Sequence, residues 1–233
     1  MEKLVVFTGA GISAESGLQT FRDSGGLWEG YDIEKVATPQ AWAANPQLVL
    51  QFYNERRRNV AQASPNAAHL ALVELERCFD TVIITQNIDD LHERAGSKKV
   101  IHLHGEIFKA RSTADPGLLY SIRGTELNLG DCCELGSQLR PHIVWFGEAV
   151  PAMQEAMEIT RSADIFVVIG TSLTVYPAAG LMDFAPEKSD KYFIDPRAEA
   201  PQGVRRLKVV RLKAAEGVVQ VVREILKSKR EVV

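Results

Sequence analysis

The feature that most constrains this chain is an apolar run that feeds straight into a glycine pattern. Leu4 to Phe7 is followed, after Thr8, by Gly9-Ala10-Gly11-Ile12-Ser13-Ala14. This is the Gly-x-Gly-x-x-Gly/Ala arrangement of a strand turning into a helix beneath a dinucleotide. In that reading Gly9 permits the tight turn and Gly11 lets the backbone approach a pyrophosphate. Ala14 is small enough for helix to pack on strand. The helix start then offers N–H groups to the phosphates. A tight turn with no ligand is the alternative from this segment alone. A dehydrogenase of this pattern places an acid about 20 residues further on. Here that position falls in a stretch rich in Gly, Asp and Ser, Gly17 to Glu34. Loops of that length are usually functional, which suggests a lid over a cofactor in place of hydride transfer.

Beyond the loop, strands and helices alternate. Strands are expected at Thr81 to Thr85, Val100 to Leu103, His142 to Phe146, Ile165 to Ile169, Tyr192 to Asp195 and Leu207 to Leu212. Helices are expected after Thr38-Pro39, from Pro46, from Ser64-Pro65, and from Asp89 or Asp90 to Gly96. Three more are expected at Met153 to Arg161, Ala178 to Phe184 and Val218 to Lys227. Several strands are continuous apolar runs, the mark of a sheet covered on both faces. The fold class expected is α/β, a Rossmann-like parallel sheet with helices on both faces plus a smaller inserted module. Residues 1–233 then form one catalytic domain. Its large part covers about 1–30, 65–108 and 139–233, and its small-module segments about 31–64 and 109–138. Periodicity is lost from Lys109 to Gln138.

Composition excludes several classes. Hydrophobic residues make up 45% and charged residues 24%, so the chain can build a core. A net charge of −3 argues against sequence-independent nucleic-acid binding. The three cysteines, Cys78, Cys132 and Cys133, are too few for a disulfide scaffold and point to a reducing cytoplasm. No apolar run approaches the length of a membrane span, and the opening one is too short for a signal peptide.

Polar side chains collect where strands end. Gln86-Asn87-Ile88-Asp89 follows Thr85, as a ligand-binding cluster or as helix caps. Gly170-Thr171-Ser172 follows Ile169, placed to meet the same ligand as the first glycine turn. Asp195 ends a strand and either accepts from ribose hydroxyls or forms an Asp-Pro turn. His102 and His104 flank Leu103 and share a face, where a histidine serves as a general base or as a structural group.

Taken in register, these segments resemble the motifs of the sirtuins, NAD-dependent protein-lysine deacylases. The resemblance rests on Gly9 to Ser13, Thr85 to Asp89, His104-Gly105, Gly170 to Leu173, and Arg140-Pro141-His142-Ile143-Val144-Trp145-Phe146-Gly147-Glu148. It runs from residue 4 to about 217. It implies that NAD is consumed as a co-substrate: the acyl oxygen of a modified lysine attacks the ribose carbon as nicotinamide leaves. His104 then deprotonates a ribose hydroxyl, which attacks the alkylamidate, giving free lysine, nicotinamide and O-acyl-ADP-ribose. The catalytic residues implied are His104 and Asn87. The cofactor-binding residues implied are Gly9, Ala10, Gly11, Ile12, Ser13, Ser16, Phe21, Arg22, Trp28, Gln86, Asn87, Ile88, Asp89, Gly170, Thr171, Ser172, Asp195 and Ala215. Val144, Trp145, Phe146, Gly147 and Glu148 are implied to meet the substrate peptide. Asp195 stands where the family usually has Asn.

Tyr53 and Arg56 share a helix face and resemble the Tyr-x-x-Arg pair of sirtuins that act on acidic acyl-lysines such as succinyl- and malonyl-lysine. An arginine fork binds a carboxylate bidentately and a phenol adds a third bond. Ala37 resembles the small residue that leaves room for the longer chain. The alternative is that Arg56-Arg57-Arg58 is a solvated basic face. The zinc module of the family departs here: Lys109-Ala110-Arg111-Ser112 replaces its first cysteine pair, and only adjacent Cys132-Cys133 remains. No metal ligands are therefore expected, and zinc is not expected. The partners expected are NAD and acyl-lysine proteins, with no nucleic acid or membrane. Rival readings are protein ADP-ribosyl transfer and a catalytically silent NAD sensor.

Overall fold

The computed structural model of the chain describes residues 1–19, 27–28, 31–173 and 175–231, with backbone alone at 27–28 and 230–231. The chain opens with β1 (Lys3–Thr8) and two short 3-10 turns, Ala10–Ile12 and Ala14–Ser16. An antiparallel pair, β2 (Leu27–Trp28) and β3 (Tyr31–Asp32), precedes α1 (Ile33–Val36), α2 (Pro39–Ala44) and α3 (Pro46–Gln62). Then come α4 (Ala67–Leu75), β4 (Asp80–Thr85), α5 (Leu91–Ala95) and β5 (Val100–His102). Next are β6 (Gly105–Ser112), β7 (Leu119–Ser121), β8 (Leu139–Ile143) and α6 (Met153–Arg161). The chain closes with β9 (Ile165–Ile169), a 3-10 segment Ala178–Phe184, β10 (Asp190–Ile194), β11 (Leu207–Val210) and α7 (Ala214–Glu231).

Six strands form a parallel sheet in the order β11-β10-β9-β1-β4-β5. The chain winds outward from β1 through β4 and β5, then returns to β9 on the other side of β1. That is the doubly wound order, and the carboxyl ends of β1 and β9 flank its switch point, where ligands bind. Strand residues alternate between two cores, as a sheet covered on both faces requires. Leu4 and Val6 pack with Leu72 and Leu75 of α4 and Val218 and Val221 of α7. Val5 and Phe7 pack with Ala156 of α6 and with Leu181 and Met182. Burying each such side chain contributes about 1.5–3 kcal/mol relative to exposure.

A smaller lobe is built from α1–α3 against the antiparallel sheet β7-β6-β8. Its core joins Val49, Phe52 and Tyr53 of α3 to Ile107, Ile143 and Trp145. The helix caps follow from sequence: Thr38 Oγ1 accepts the Ala41 N–H and Asn45 Oδ1 the Leu48 N–H, each ahead of a proline. Gly96, at φ +109°, ends α5 in the left-handed conformation.

Several expectations need correction. Among the described residues, the first glycine turn leads into two 3-10 turns and not into an α-helix. The expected strand His142 to Phe146 lies at Leu139–Ile143 and pairs with β6 in the antiparallel sheet. The expected aperiodic stretch from Lys109 hides the end of β6 and all of β7. Charged Glu106, Lys109 and Arg111 break the alternation, and a bulge between Gly105 and Ala110 shifts its register. α4 starts at Ala67 because Asn66, not Ser64, is its cap, in a reciprocal capping box with His69.

Candidate active site

A cavity of about 590 Å³ opens at the switch point, well inside the range of small-molecule sites. Its walls come from the ends of β1, β4, β9 and β10 on one side and from the smaller lobe on the other. The two glycine turns meet there. Gly11 donates its N–H to the Gly170 carbonyl at 2.8 Å. A Cβ on Gly11 would sit 2.6 Å from the Gly170 Cα, and one on Gly170 would sit 2.5 Å from the Ile12 nitrogen. These glycines are needed so that two strand ends can touch each other. The N–H groups of Gly9, Gly11, Ile12 and Ser13 are all bonded to chain carbonyls. The expected array of helix-start donors is therefore not what this turn presents.

The polar residues at the end of β4 form a bonded set with Ser13. Asn87 Nδ2 donates to Ser13 Oγ at 3.1 Å, and Ser13 Oγ donates to Asp89 Oδ2 at 3.0 Å. All three are buried and line the cavity. Burial pushes the Asp89 carboxyl up, against the Leu91 N–H and the Ser13 hydroxyl. Gln86 Nε2 reaches Thr171 Oγ1 at 3.1 Å, tying β4 to β9 across the crevice. The alternative of simple helix caps holds only for the second oxygen of Asp89, which accepts the Leu91 N–H.

The two expected histidines divide into different roles. His104 Nδ1 lies 2.9 Å from the Gln86 carbonyl. A carbonyl only accepts, so Nδ1 carries the hydrogen and Nε2 keeps a bare lone pair. Burial holds this imidazole below its ordinary value, although the Gln86 carbonyl pulls it up. His104 is therefore uncharged at neutral pH, and it lines the cavity. His102 contacts the Asn87 carbonyl through Nδ1 at 3.0 Å and Glu93 Oε1 through Nε2 at 2.7 Å. Burial opposes its charge, but the Glu93 carboxylate outweighs it and raises the imidazole. His102 is thus a staple that holds the Asn87 carbonyl. Gly105 follows His104 because β8 crosses there: a Cβ would lie 2.0 Å from the His142 oxygen, and φ is +84°.

The smaller lobe supplies Ala37, Tyr53, Arg56 and residues 143–148 to the cavity. The Trp145 indole N–H donates to the Tyr53 phenol at 3.0 Å. Indole N–H is a donor only, so the phenol oxygen accepts and its own hydrogen is left to give. Burial pushes that phenol well up, while the Trp145 N–H and the Arg56 charge pull it down, so it stays protonated. The Arg140 guanidinium lies 3.3 Å from the centre of the Trp145 ring. Glu148 accepts from Arg140, from Arg111 and from the Trp145 N–H, which shapes the 143–148 turn. Its carboxylate faces these partners, so it acts on the wall by holding Trp145. The solvated-face alternative for the arginines does not survive: Arg56 and Arg57 are buried. Arg57 is bound to Ile107 O, Asn54 Oδ1 and Thr125 O, and only Arg58, paired with Glu126, faces solvent.

Of the other expected site residues, Ala10, Ile88, Thr171, Ser172, Asp195, Val144, Phe146 and Gly147 line the cavity. Asp195 Oδ1 also accepts the Arg197 N–H, so the turn and wall readings hold together. Three expected residues lie off the wall. Ile12 points into the core, Ser16 accepts from Asn66, and the Ala215 N–H is capped by Glu15. Phe21 and Arg22 lie outside the described residues, as does the Trp28 side chain. The wall also contains Leu18, Arg197 and Lys213, which sequence reasoning did not single out. The last two follow β10 and β11 closely, and the strand-end rule could have found them.

The small module offers no zinc set. Among the described residues, no three His, Cys, Asp or Glu side chains gather as metal ligands. Cys132 is exposed, and the Cys133 thiol sits 3.3 Å from the hydroxyls of Ser112 and Ser137. Hydrogen bonds among these side chains hold the turn instead, and the donor set does not fit a structural zinc. Also among the described residues, no helix is long and apolar enough to cross a membrane.

The chain is similar over most of its length to proteins of one kind. A family model described as the Sir2 family matches residues 9–177. A Helicobacter pylori protein named NAD-dependent protein deacylase is 55% identical over 88% of this chain and 90% of its own length. A Bacteroides thetaiotaomicron protein of the same name is 50% identical, covering 94% of this chain and 95% of its own. A solved Sir2 homolog–NAD complex superposes with a TM-score of 0.87 at 41% identity, covering 97% of this chain and 90% of that one. A Sir2 structure with a deacetylated peptide and 3'-O-acetyl ADP ribose gives 0.78 at 32% identity, covering 97% and 92%. The two glycine turns, the Gln86-to-Asp89 set and the crevice that joins them therefore sit within a shared fold, and the chain belongs to the Sir2 family.

Proposed function

We propose that this protein is an NAD-dependent protein-lysine deacylase that removes acidic acyl groups, succinyl and malonyl, and also acetyl, releasing nicotinamide and O-acyl-ADP-ribose. The observation that carries the reaction class is the His104 tautomer, with Nδ1–H on the Gln86 carbonyl and a bare Nε2 on a residue that lines the cavity. The names of the relatives and the co-substrates in their solved complexes support it.

The crevice at the switch point suits a dinucleotide, with Gly9 to Ser13, Thr171, Ser172 and Asp195 along it and basic Lys213 and Arg197 on the same wall. Bound NAD would supply an electrophilic ribose carbon as its nicotinamide departs. The protein's part is to hold and to move protons. Asn87, fixed by Ser13 and by the His102 staple on its carbonyl, meets the nicotinamide ribose. His104 Nε2 takes a proton from a ribose hydroxyl, which a base uncharged at neutral pH can do. The apolar wall of buried Ile88 and Trp145, with Val144 and Phe146 at its open edge, limits water around the acyl group. Two features support the acidic preference. The Tyr53 phenol hydrogen is left to donate, and Arg56 lies on the same wall beside small Ala37. Three free thiols support a reducing, cytoplasmic setting.

The test is mass spectrometry of acetyl-, succinyl- and malonyl-lysine peptides incubated with the protein and NAD. NAD-dependent loss of acyl groups, fastest for the acidic ones, with matching O-acyl-ADP-ribose, is expected. ADP-ribosylated protein without O-acyl-ADP-ribose would overturn the reaction class. Faster deacetylation than desuccinylation would overturn the acyl preference alone.

A further inference from the structure

A chain of buried polar groups runs beneath the strand ends, and the mechanism above leaves it unused. Thr8 and Thr85 are register partners at the carboxyl ends of β1 and β4, and both are fully buried. Thr8 Oγ1 donates to Thr85 Oγ1 at 2.8 Å. Thr85 Oγ1 also accepts the backbone N–H of Asn87 at 3.0 Å. His92, fully buried on α5, brings Nε2 to 3.1 Å from Thr8 Oγ1.

The direction of the Thr8–Thr85 bond sets that of its neighbour. The Thr8 hydrogen already goes to Thr85, so the bond with His92 must run toward Thr8. His92 therefore carries its hydrogen on Nε2 and leaves Nδ1 as an acceptor. His69, also fully buried, accepts the Asn66 N–H on Nδ1 at 3.3 Å, so its hydrogen sits on Nε2. The two remaining ring atoms, His69 Nε2 and His92 Nδ1, are buried and have no other partner among the described residues. One is a donor and the other an acceptor, on rings that meet edge to face with centroids 5.0 Å apart. Burial holds both imidazoles down, His69 to about 4, so neither carries charge at neutral pH.

This order of donors and acceptors ends on the Asn87 backbone, and its middle member, Thr8, is the residue before the Gly9 turn. We propose that His92, with its hydrogen on Nε2, is a positioning residue for deacylation: through Thr8 and Thr85 it fixes the backbone of Asn87. The inference rests on the reading of Asn87 as a residue that meets the ribose. A purely structural role makes a different forecast. Single substitutions would then lower stability, because a buried partner is left unpaired, while kcat of the folded protein stayed near wild type.

The test measures kcat and the KM for NAD by nicotinamide release, with an acetyl-lysine peptide, for His92→Phe, His92→Gln and Thr8→Val. His92→Phe keeps a ring but loses the donor, while His92→Gln keeps an amide N–H that reaches the same place. His92→Phe should lower kcat about tenfold with little change in the KM for NAD, the scale of a small misplacement at a reacting centre. His92→Gln should recover most of that rate. Thr8→Val should repeat the loss without touching α5, and it carries the comparison alone should His92→Phe fail to fold. Nitrogen NMR of the imidazoles should show His92 as the Nε2–H tautomer. Wild-type kcat in Thr8→Val or His92→Phe would overturn the proposal. So would a His92→Gln variant as slow as His92→Phe, or an Nδ1–H tautomer at His92. Asn87→Ala separates the two levels: a full rate there would refute the role of Asn87 itself. A loss there beside an unaffected His92→Phe would refute only the role of His92.

Discussion

Removing one oxygen by Tyr53→Phe should have two separable effects. In the folded protein the phenol accepts the Trp145 indole N–H at 3.0 Å, and both side chains are buried. Without the oxygen, a buried N–H loses its acceptor, which costs about 1–3 kcal/mol. In a chain of this size each kcal/mol lowers the melting temperature by about 2–4 °C, so a drop of roughly 2–12 °C is expected. The effect on activity has a different origin. On the proposed reading the phenol hydrogen goes to a ligand carboxylate, and a hydrogen bond to a charged group contributes about 1.5–3 kcal/mol. Its loss should reduce kcat/KM for succinyl-lysine peptide roughly ten- to a hundredfold. Acetyl-lysine has no carboxylate to lose, so its kcat/KM should fall only a few-fold. Parallel kinetics on the two peptides, with a melting curve at the same pH, measure both effects. Equal losses on both substrates would refute the argument that this phenol reads the carboxylate. An unchanged melting temperature would refute the energetic part assigned to the Trp145 bond.

Arg56→Met should likewise slow desuccinylation far more than deacetylation, and equal losses would show that the pair does not read charge. His104→Ala should abolish O-acyl-ADP-ribose formation. In the wild type the rate should rise with pH as the His104 imidazole loses its proton. Burial lowers that ionisation, so the rising limb should lie below about 6.5 and the plateau should be reached by neutral pH. A limb centred above pH 7 would contradict this. Gly11→Ala places a Cβ 2.6 Å from the Gly170 Cα, a backbone atom that cannot rotate away. Overpacking of this kind costs about 1–3 kcal/mol or more, so thermal denaturation should show a clear loss of stability.

The strand Ile165–Ile169 and the helix Met153–Arg161 were readable residue for residue, because each is a short apolar or amphipathic run between clear breakers. The antiparallel sheet was not. Its strands carry Glu106, Lys109 and Arg111 among their apolar residues, and β8 pairs with β6 across about thirty residues of sequence. No local period announces such a pairing. The site shows the same division. The residue types at the ends of β1, β4 and β9 could be assembled by the rule that ligands sit where parallel strands end. That rule does not separate His102 from His104, which occupy equivalent places beside Leu103; only the family resemblance singled out His104.

What the chain alone determined is therefore the set of elements and the chemical kinds at their ends, because turns, caps and hydrophobic periods act over a few neighbouring residues. What only the folded molecule decided is protonation and direction. The Glu93 carboxylate raises the imidazole of one histidine, and the Gln86 carbonyl fixes the tautomer of the other. An indole from ninety-two residues away turns the Tyr53 phenol into a donor. Gly170 requires Gly11 to lack a side chain. Each of these depends on an atom brought within 3 Å or so by tertiary packing, and hydrogen bonds and steric contacts act only over such distances.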